Sequence, residues 1–200
     1  MIETKDLIIR KARFEDWQDI YRNVWSHPEC ARYMFWRVTT SEEDARARML
    51  RTLKWEAEHD SYFIFEKAGG QAIGFTGVEP VFEPAGKEPG GQRPQGPTQP
   101  DCRAGREPGG RKTTLWEEAG ICIGPEFQRR GYGKQTAIAI MDYAHAKYGA
   151  TEFQCSAREA NIASRNMAES LGFTFHHSEQ RIDDRDGSSY TMMIYRRPLP

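Results

Sequence analysis

The apolar positions along the chain change period repeatedly, and each change marks an element. Leu7, Ile8 and Ile9 open a short apolar run over 7–12, which predicts a first strand. After Glu15 and Asp16 the period lengthens. Trp17, Ile20, Tyr21, Val24 and Trp25 fall on one helical face, and Pro28 ends that helix because proline disfavours helical geometry in the residue before it. Ser41 followed by Glu42, Glu43 and Asp44 predicts a helix start with Ser41 as N-cap. Ala45, Met49, Leu53 and Ala57 continue it at helical spacing. Residues 61–67 and 71–80 are rich in strand formers and flank Gly69-Gly70, which predicts a hairpin, with Gly74 and Gly77 marking a bulge or a bend.

Residues 115–123 read as one strand stopped by Gly124-Pro125. A helix follows a glycine turn, with Ile138, Met141, His145 and Tyr148 on its apolar stripe, Ala137 and Ala144 beside it, and Gly149 as C-terminal cap. Then come a strand at 151–156 and a helix over 160–171 with Ala160, Ala163, Met167 and Leu171 inward. A strand from Gly172, a charged turn at 183–188 and a closing strand at 190–195 complete the chain. Strands and helices in this order predict an α/β class with a mixed sheet and helices on its faces.

Composition changes this picture at one place. From 84 to 110 nearly half of the residues are Gly or Pro and almost none are apolar, too few to offset the entropy of ordering. We therefore expect a single domain over 1–200 with a flexible insertion at about 84–113, either a solvated tether or a basic flap near the substrate. The net charge of −1 makes no case for nucleic acid or an anionic membrane as partner. No apolar run reaches the roughly 18 residues of a membrane span, so a cytoplasmic protein is expected, monomeric or a homodimer. Cys30, Cys102, Cys122 and Cys155 show no C-x-x-C spacing, and no metal site is expected.

The chemistry concentrates at 118–141. Gln128-Arg129-Arg130-Gly131-Tyr132-Gly133 joins a strand to a helix, with Lys134 next. Gly131 and Gly133 allow positive φ and close approach, so the amides of about 129–134 can converge on a phosphate at a helix N-terminus. A Walker loop is excluded because positions 128 and 135 are both Gln. The dinucleotide fingerprint is excluded because position 136 is Thr.

With Q-x-x-G-x-G at 128–133, the preceding Glu-Ala-Gly-Ile-Cys-Ile-Gly-Pro-Glu-Phe, and Asn161-x-x-Ser164 followed by Glu169-Ser170-Leu171-Gly172-Phe173, the chain resembles the GCN5-related N-acetyltransferase (GNAT) superfamily. It is similar there to the RimJ/RimL-like branch. The resemblance covers most of the chain except about 84–113. It implies a GNAT-like acyl-CoA N-acyltransferase fold, with a largely antiparallel central sheet flanked by helices, and acetyl-CoA as donor. It also implies a pyrophosphate on the 129–134 amides and Gln128, with a pantetheine arm along the backbone of Ile121, Cys122 and Ile123. Asn161 would touch the pantetheine amides, as well as capping its helix.

The reaction this implies is direct attack of a primary amine (a protein N-terminus, a lysine or a small molecule) on the thioester. The backbone N–H near Ile123 is a candidate oxyanion donor. Glu118 shares strand parity with Gly120 and Cys122 and is the candidate base, with Asp183 a second one. Many relatives carry a Tyr shortly before L-G-F to protonate the thiolate; this chain has Ala168, and Ser164 is the expected substitute. Two other readings compete: a CoA-binding regulatory module without turnover, and a redox thiol protein built on Cys122 and Cys155.

Overall fold

The computed structural model of the chain describes residues 1–82 and 113–200. The insertion expected at about 84–113 therefore lies, apart from Thr113, outside the described residues. In chain order the strands are β1 (Ile2–Glu3), β2 (Leu7–Arg10), β3 (Ser61–Glu66), β4 (Ala72–Pro80), β5 (Leu115–Glu118), β6 (Cys122–Ile123), β7 (Glu152–Arg158), β8 (Thr174–Ile182) and β9 (Ser189–Pro198). The helices are α1 (Trp17–Ile20), α2 (Pro28–Ala31), α3 (Glu42–Glu58), α4 (Tyr132–Tyr148) and α5 (Ile162–Ser170). Among the strand pairs with a described register, all are antiparallel except β5–β7, so the mixed, largely antiparallel α/β class expected from the sequence is the class of this chain. Among the described residues no helix is long and apolar enough to cross a membrane.

The chain forms two compact units. The first comprises residues 1–78 and 119–142. Its strands pair β1 to β2, β2 to β3 and β3 to β4, and β6 adds to β4 with Gly74 opposite Ile123 and Phe75 opposite Cys122. Gly74 is needed there, because a Cβ at that position would collide with the Cys122 carbonyl oxygen. The N-terminal helical segment is not a plain α-helix. A π-turn over Tyr21–Trp25 follows α1 and buries Asn23, Val24 and Trp25 together, which a 3.6-residue period does not do. Asn23 then donates to the Ala72 carbonyl at 2.9 Å. Pro28 ends this segment and also starts α2 at its first turn, where its missing N–H costs nothing. Ser41 caps α3 as expected, accepting from the Asp44 amide at 3.1 Å. Trp17, Ile20, Val24, Trp25, Ala45, Met49, Phe63 and Cys122 share one core.

Glu56 is a buried acid of this unit. It is 4% exposed. Its Oε2 accepts from the Ala12 amide at 2.6 Å, and its Oε1 has no hydrogen-bond partner among the described residues. Burial pushes its carboxyl up to about 7, partly opposed by the Ala12 N–H. The native state thus binds more protons than the unfolded chain between about pH 4.3 and 7. The resulting stability is complete below that range and is lost as pH rises through it. Glu56→Gln keeps an acceptor for Ala12 and removes the titration. The variant is expected to unfold later than the parent above pH ~7, by about 3 kcal/mol, with a flatter dependence of Tm on pH. Parallel Tm curves for the two proteins would exclude Glu56 as the titrating group.

The second unit comprises residues 79–118 and 143–200. β5 runs parallel to β7, β7 antiparallel to β9, and β9 antiparallel to β8. Tyr148, at the end of α4, stacks on Trp116 of β5 at 4.0 Å. Two apolar faces differ from the sequence reading. In α4 the buried residues are Thr136, Ala137, Ala139, Ile140, Met141 and Ala144, while Ile138 is 41% exposed and His145 is exposed. In α5 the buried positions are Ala168 and, just after the helix, Leu171, whereas Ala160 and Ala163 are exposed. In α5 small residues misled the pattern, because alanine is accommodated on either face; in α4 Ala137 and Ala144 fall inward as expected, and Ile138 and His145 are the residues that do not.

Candidate active site

The sequence between β6 and α4 builds a concave turn in the first unit. Pro125–Phe127 form one 3₁₀ turn, after which Gln128 donates from Nε2 to the Ile123 carbonyl at 2.8 Å. The backbone then passes through two left-handed residues, Arg129 at φ 62° and Gly131 at φ 81°. Left-handed residues placed this way turn neighbouring amides toward one point and make an anion-binding nest. Gly133 is not the second of them, as the motif suggested. It lies inside α4, where φ is negative, and Arg129 takes the left-handed position instead. A Cβ at Gly131 would meet nothing within 4 Å, so glycine serves the conformation there and the concavity stays open. The first helical bond runs from the Gln135 amide to the Gly131 carbonyl at 3.0 Å. The amides of Tyr132 and Gly133 therefore have no carbonyl of their own helix to bond, and the α4 dipole adds positive potential at the same end.

The side chains of the turn divide the work. Arg130 donates to Glu66 Oε1 at 3.1 Å and to the Glu126 carbonyl at 2.9 Å, and the Tyr132 hydroxyl donates to the same Glu66 oxygen at 2.6 Å. Glu66, at the end of β3, thus holds the turn in place, a role absent from the sequence reading. Arg129 and Lys134 are exposed at the turn. Gln135 ties the start of α4 to the N-terminal hairpin: it accepts from Thr4 Oγ1 at 2.9 Å and donates to Asp6 Oδ2 at 2.8 Å. This backbone nest, open and cationic, fits a pyrophosphate.

The strand expected over 115–123 is two strands. β5 ends at Glu118, and β6 begins at Cys122 with its own pairing to β4. Ile121 precedes β6, and Gly120 stands at φ 92° in the break. The parity argument that set Glu118 beside Gly120 and Cys122 therefore fails, because alternation does not carry across a break.

Glu118 nevertheless has the chemistry of a base. It is half-buried in the second unit, and the Cys155 thiol donates to its Oε1 at 3.5 Å. Burial raises its carboxyl to about 7, the neighbouring Glu117 adds to this, and the Cys155 contact opposes it. Glu117 itself is buried and accepts from Gln154 Nε2 at 2.7 Å. Cys155 is held above the usual thiol range by burial and by the Glu118 charge, and Cys122 is raised by its hydrogen bond with Cys30 and by burial. Thiols held protonated in this way are poor nucleophiles, which counts against a redox protein built on Cys122 and Cys155.

At the start of α5, Asn161 Oδ1 accepts from the Ser164 amide at 3.2 Å, the N-cap expected of it. Its Nδ2 donors are left for other work. Ser164 is half-buried on the first turn. Asp183 is not a base. It is 2% exposed and accepts from Arg158 at 2.8 Å and from Arg185 at 2.6 Å, and these bonds hold its carboxyl well below the usual range. Asp183→Ala leaves two guanidinium groups without their carboxylate. The expected loss is about 3 kcal/mol of stability by chemical denaturation, with the left-handed turn at 129–131 undisturbed. An unchanged midpoint would show that this cluster contributes nothing to stability.

Comparison with known proteins gives a family and a fold. A model of the acetyltransferase (GNAT) domain matches residues 6–174. Nothing matches among curated proteins. Among solved structures, an acetyltransferase of the GNAT family from Bacillus anthracis superposes with a TM-score of 0.72 at 15% identity, covering 98% of this chain and 97% of that one. A GCN5-related N-acetyltransferase from Brucella melitensis gives 0.73 at 13% identity, covering 98% and 77%. The microcin C7 self-immunity acetyltransferase MccE, solved in complex with acetyl-CoA and AMP, gives 0.69 at 14% identity, covering 98% and 94%. At these identities the likeness is one of fold.

Proposed function

The chain belongs to the acetyltransferase (GNAT) family, and on that premise we propose that it transfers an acetyl group from acetyl-CoA to a primary amine. The observation that carries the reading is the turn at 128–134, where Arg129 and Gly131 in left-handed geometry open the amides of α4 to an anion. The MccE structure, solved with acetyl-CoA, supports the choice of donor. The Q-x-x-G-x-G, N-x-x-S and L-G-F residues favour the RimJ/RimL-like branch within the family.

Acetyl-CoA supplies an activated acetyl thioester. The amides of Arg129, Arg130, Gly131, Tyr132, Gly133 and Lys134 would hold its pyrophosphate, with Arg129 and Lys134 adding charge. Gln128 acts indirectly, by fixing the turn to the Ile123 carbonyl. The backbone of Ile121, Cys122 and Ile123 would take the pantetheine arm as an added strand, and Asn161 Nδ2 would donate to one of its carbonyls. Glu118, with its carboxyl near 7, is assigned as the base that takes the amine proton, because a base is most useful when its pKa is close to the working pH. Ser164 is assigned as the proton donor to the departing thiolate.

Incubating the protein with acetyl-CoA and a panel of amines, and measuring free thiol, tests this reading. Release is expected only when a suitable amine is present. Binding of acetyl-CoA with no release for any N-terminal peptide, lysine or small amine would favour a regulatory CoA-binding module.

A further inference from the structure

Arg48 stands on α3 in the first unit with its guanidinium carbon 4.4 Å from the Trp25 ring centroid and 4.4 Å from that of Trp36. Its Nη1 donates to Thr39 Oγ1 at 3.0 Å. Thr39 is itself buried, and its amide donates to the Trp25 carbonyl at 2.9 Å. A guanidinium has five N–H donors, and Thr39 accepts one. No carboxylate among the described residues acts on this charge. Burial and the nearby Arg51 lower its pKa to about 10, opposed by Cys122. A half-buried cation held over two indoles, with N–H donors to spare, is matched to a carboxylate. The rings attract its charge, and a carboxylate can take two parallel N–H bonds from the guanidinium fork.

The surroundings place this cation beside the aromatic-rich segment 32–37 that joins α2 to α3. Trp36 meets Phe75 edge-on at 6.3 Å. Phe75 is the register partner of Cys122 on β6, and the Arg48 charge acts on the Cys122 thiol. Met34 packs on the same core, and its Sδ would lie 3.7 Å from a carbon placed on Gly120, in the break before β6. Arg48, Trp36 and Met34 thus lie near the strand assigned to the pantetheine arm.

We propose that Arg48 is the carboxylate anchor of the acceptor site, and that the acceptor is a small free amino acid whose carboxylate seats on the edge of this guanidinium. The proposal rests on the acetyl-transfer reading above and narrows its open list of amines. Trp25, Trp36 and Thr39 act as positioning residues that fix the plane of the anchor. Lysine in place of Arg48 keeps the charge but loses the paired donors.

The test compares free amino acids with their primary carboxamides and with an N-terminal peptide lacking acidic residues, by kcat/KM. The wild-type protein is expected to prefer the acids by about 30-fold or more, because a site built to bond a carboxylate leaves its donors unpaired with an amide. Arg48→Met is expected to bring that ratio to near one, chiefly through KM, and Arg48→Lys to an intermediate value. Acetyl-CoA affinity by calorimetry is expected to be unchanged in both variants. If the Met variant does not fold, the wild-type ratio and the Lys variant still decide. Three results would overturn the proposal: equal use of acid and carboxamide, a preference that survives in Arg48→Met, or acetyl-CoA binding with no free amino acid acetylated. Failure of the wild-type protein to bind acetyl-CoA at all would instead remove the acetyl-transfer reading, and this proposal with it.

Discussion

Gly131→Asp is expected to abolish measurable acetyl-CoA binding while leaving the protein folded. The residue sits at φ 81°, and a new Cβ there would touch nothing within 4 Å, so the side chain itself fits. Two costs arise instead. A non-glycine residue in left-handed geometry costs about 1–2 kcal/mol, and that cost falls on the turn rather than on the core. The carboxylate would also stand where the opening amides of α4 face an anion, and like charges brought together across an interface cost several kcal/mol. Together these predict at least a ~100-fold loss of affinity by calorimetry. Near-UV and far-UV dichroism are expected to match the parent, because the Glu66 bonds to Arg130 and Tyr132 lie on the far end of those side chains. Undiminished affinity would mean that the anion binds elsewhere.

Glu118→Gln is expected to lower kcat by about 100- to 1,000-fold, the usual range for loss of a general base. The pH profile gives the sharper reading. The working form of a base is deprotonated, and the Glu118 carboxyl titrates near 7. The kcat/KM of the parent is therefore expected to rise with pH up to about 7 through this group, and the variant should lack that limb. Stability moves the other way. A carboxyl raised above its unfolded value stabilises the native state at low pH and loses that contribution as pH climbs through its native pKa. Above pH 7 the Gln variant should thus be the more stable protein and the slower enzyme. A full-rate variant with an unchanged profile would remove Glu118 from the chemistry and leave its titration as a consequence of burial.

Local patterns in the sequence were reliable where one stretch determines its own structure. Ser41 caps α3 through Asp44, three residues away, and the 61–80 hairpin turns at Gly69-Gly70, both as read from adjacent residues. The glycine turn was legible as an anion cradle, although the left-handed residue beside Gly131 is Arg129 and not Gly133. What was hidden depends on partners distant in sequence. Glu66 locks Arg130 and Tyr132 from 64 and 66 residues away. Cys155 meets Glu118 only because β5 and β7 run parallel in register, with Glu117 opposite Gln154. Asp183 looked like an exposed turn acid until Arg158, 25 residues earlier, reached it. The break at 119–121 was hidden for another reason: Ala119, Gly120 and Ile121 continue the small and apolar pattern of a strand, although β5 ends at Glu118, β6 begins only at Cys122, and Gly120 stands at φ 92° between them. Nothing in the helical pattern of α3 singles out Arg48, because its two indole contacts come from Trp25 and Trp36, outside that helix.

The central claim is that the cradle serves catalysis and not binding alone. Mass spectrometry of the amine recovered after incubation with acetyl-CoA and the protein tests it most directly. The account predicts an amine carrying one added acetyl group, formed in proportion to free CoA, and lost with Gly131→Asp. Recovery of unmodified amines across the whole panel, with acetyl-CoA bound and intact, would contradict it.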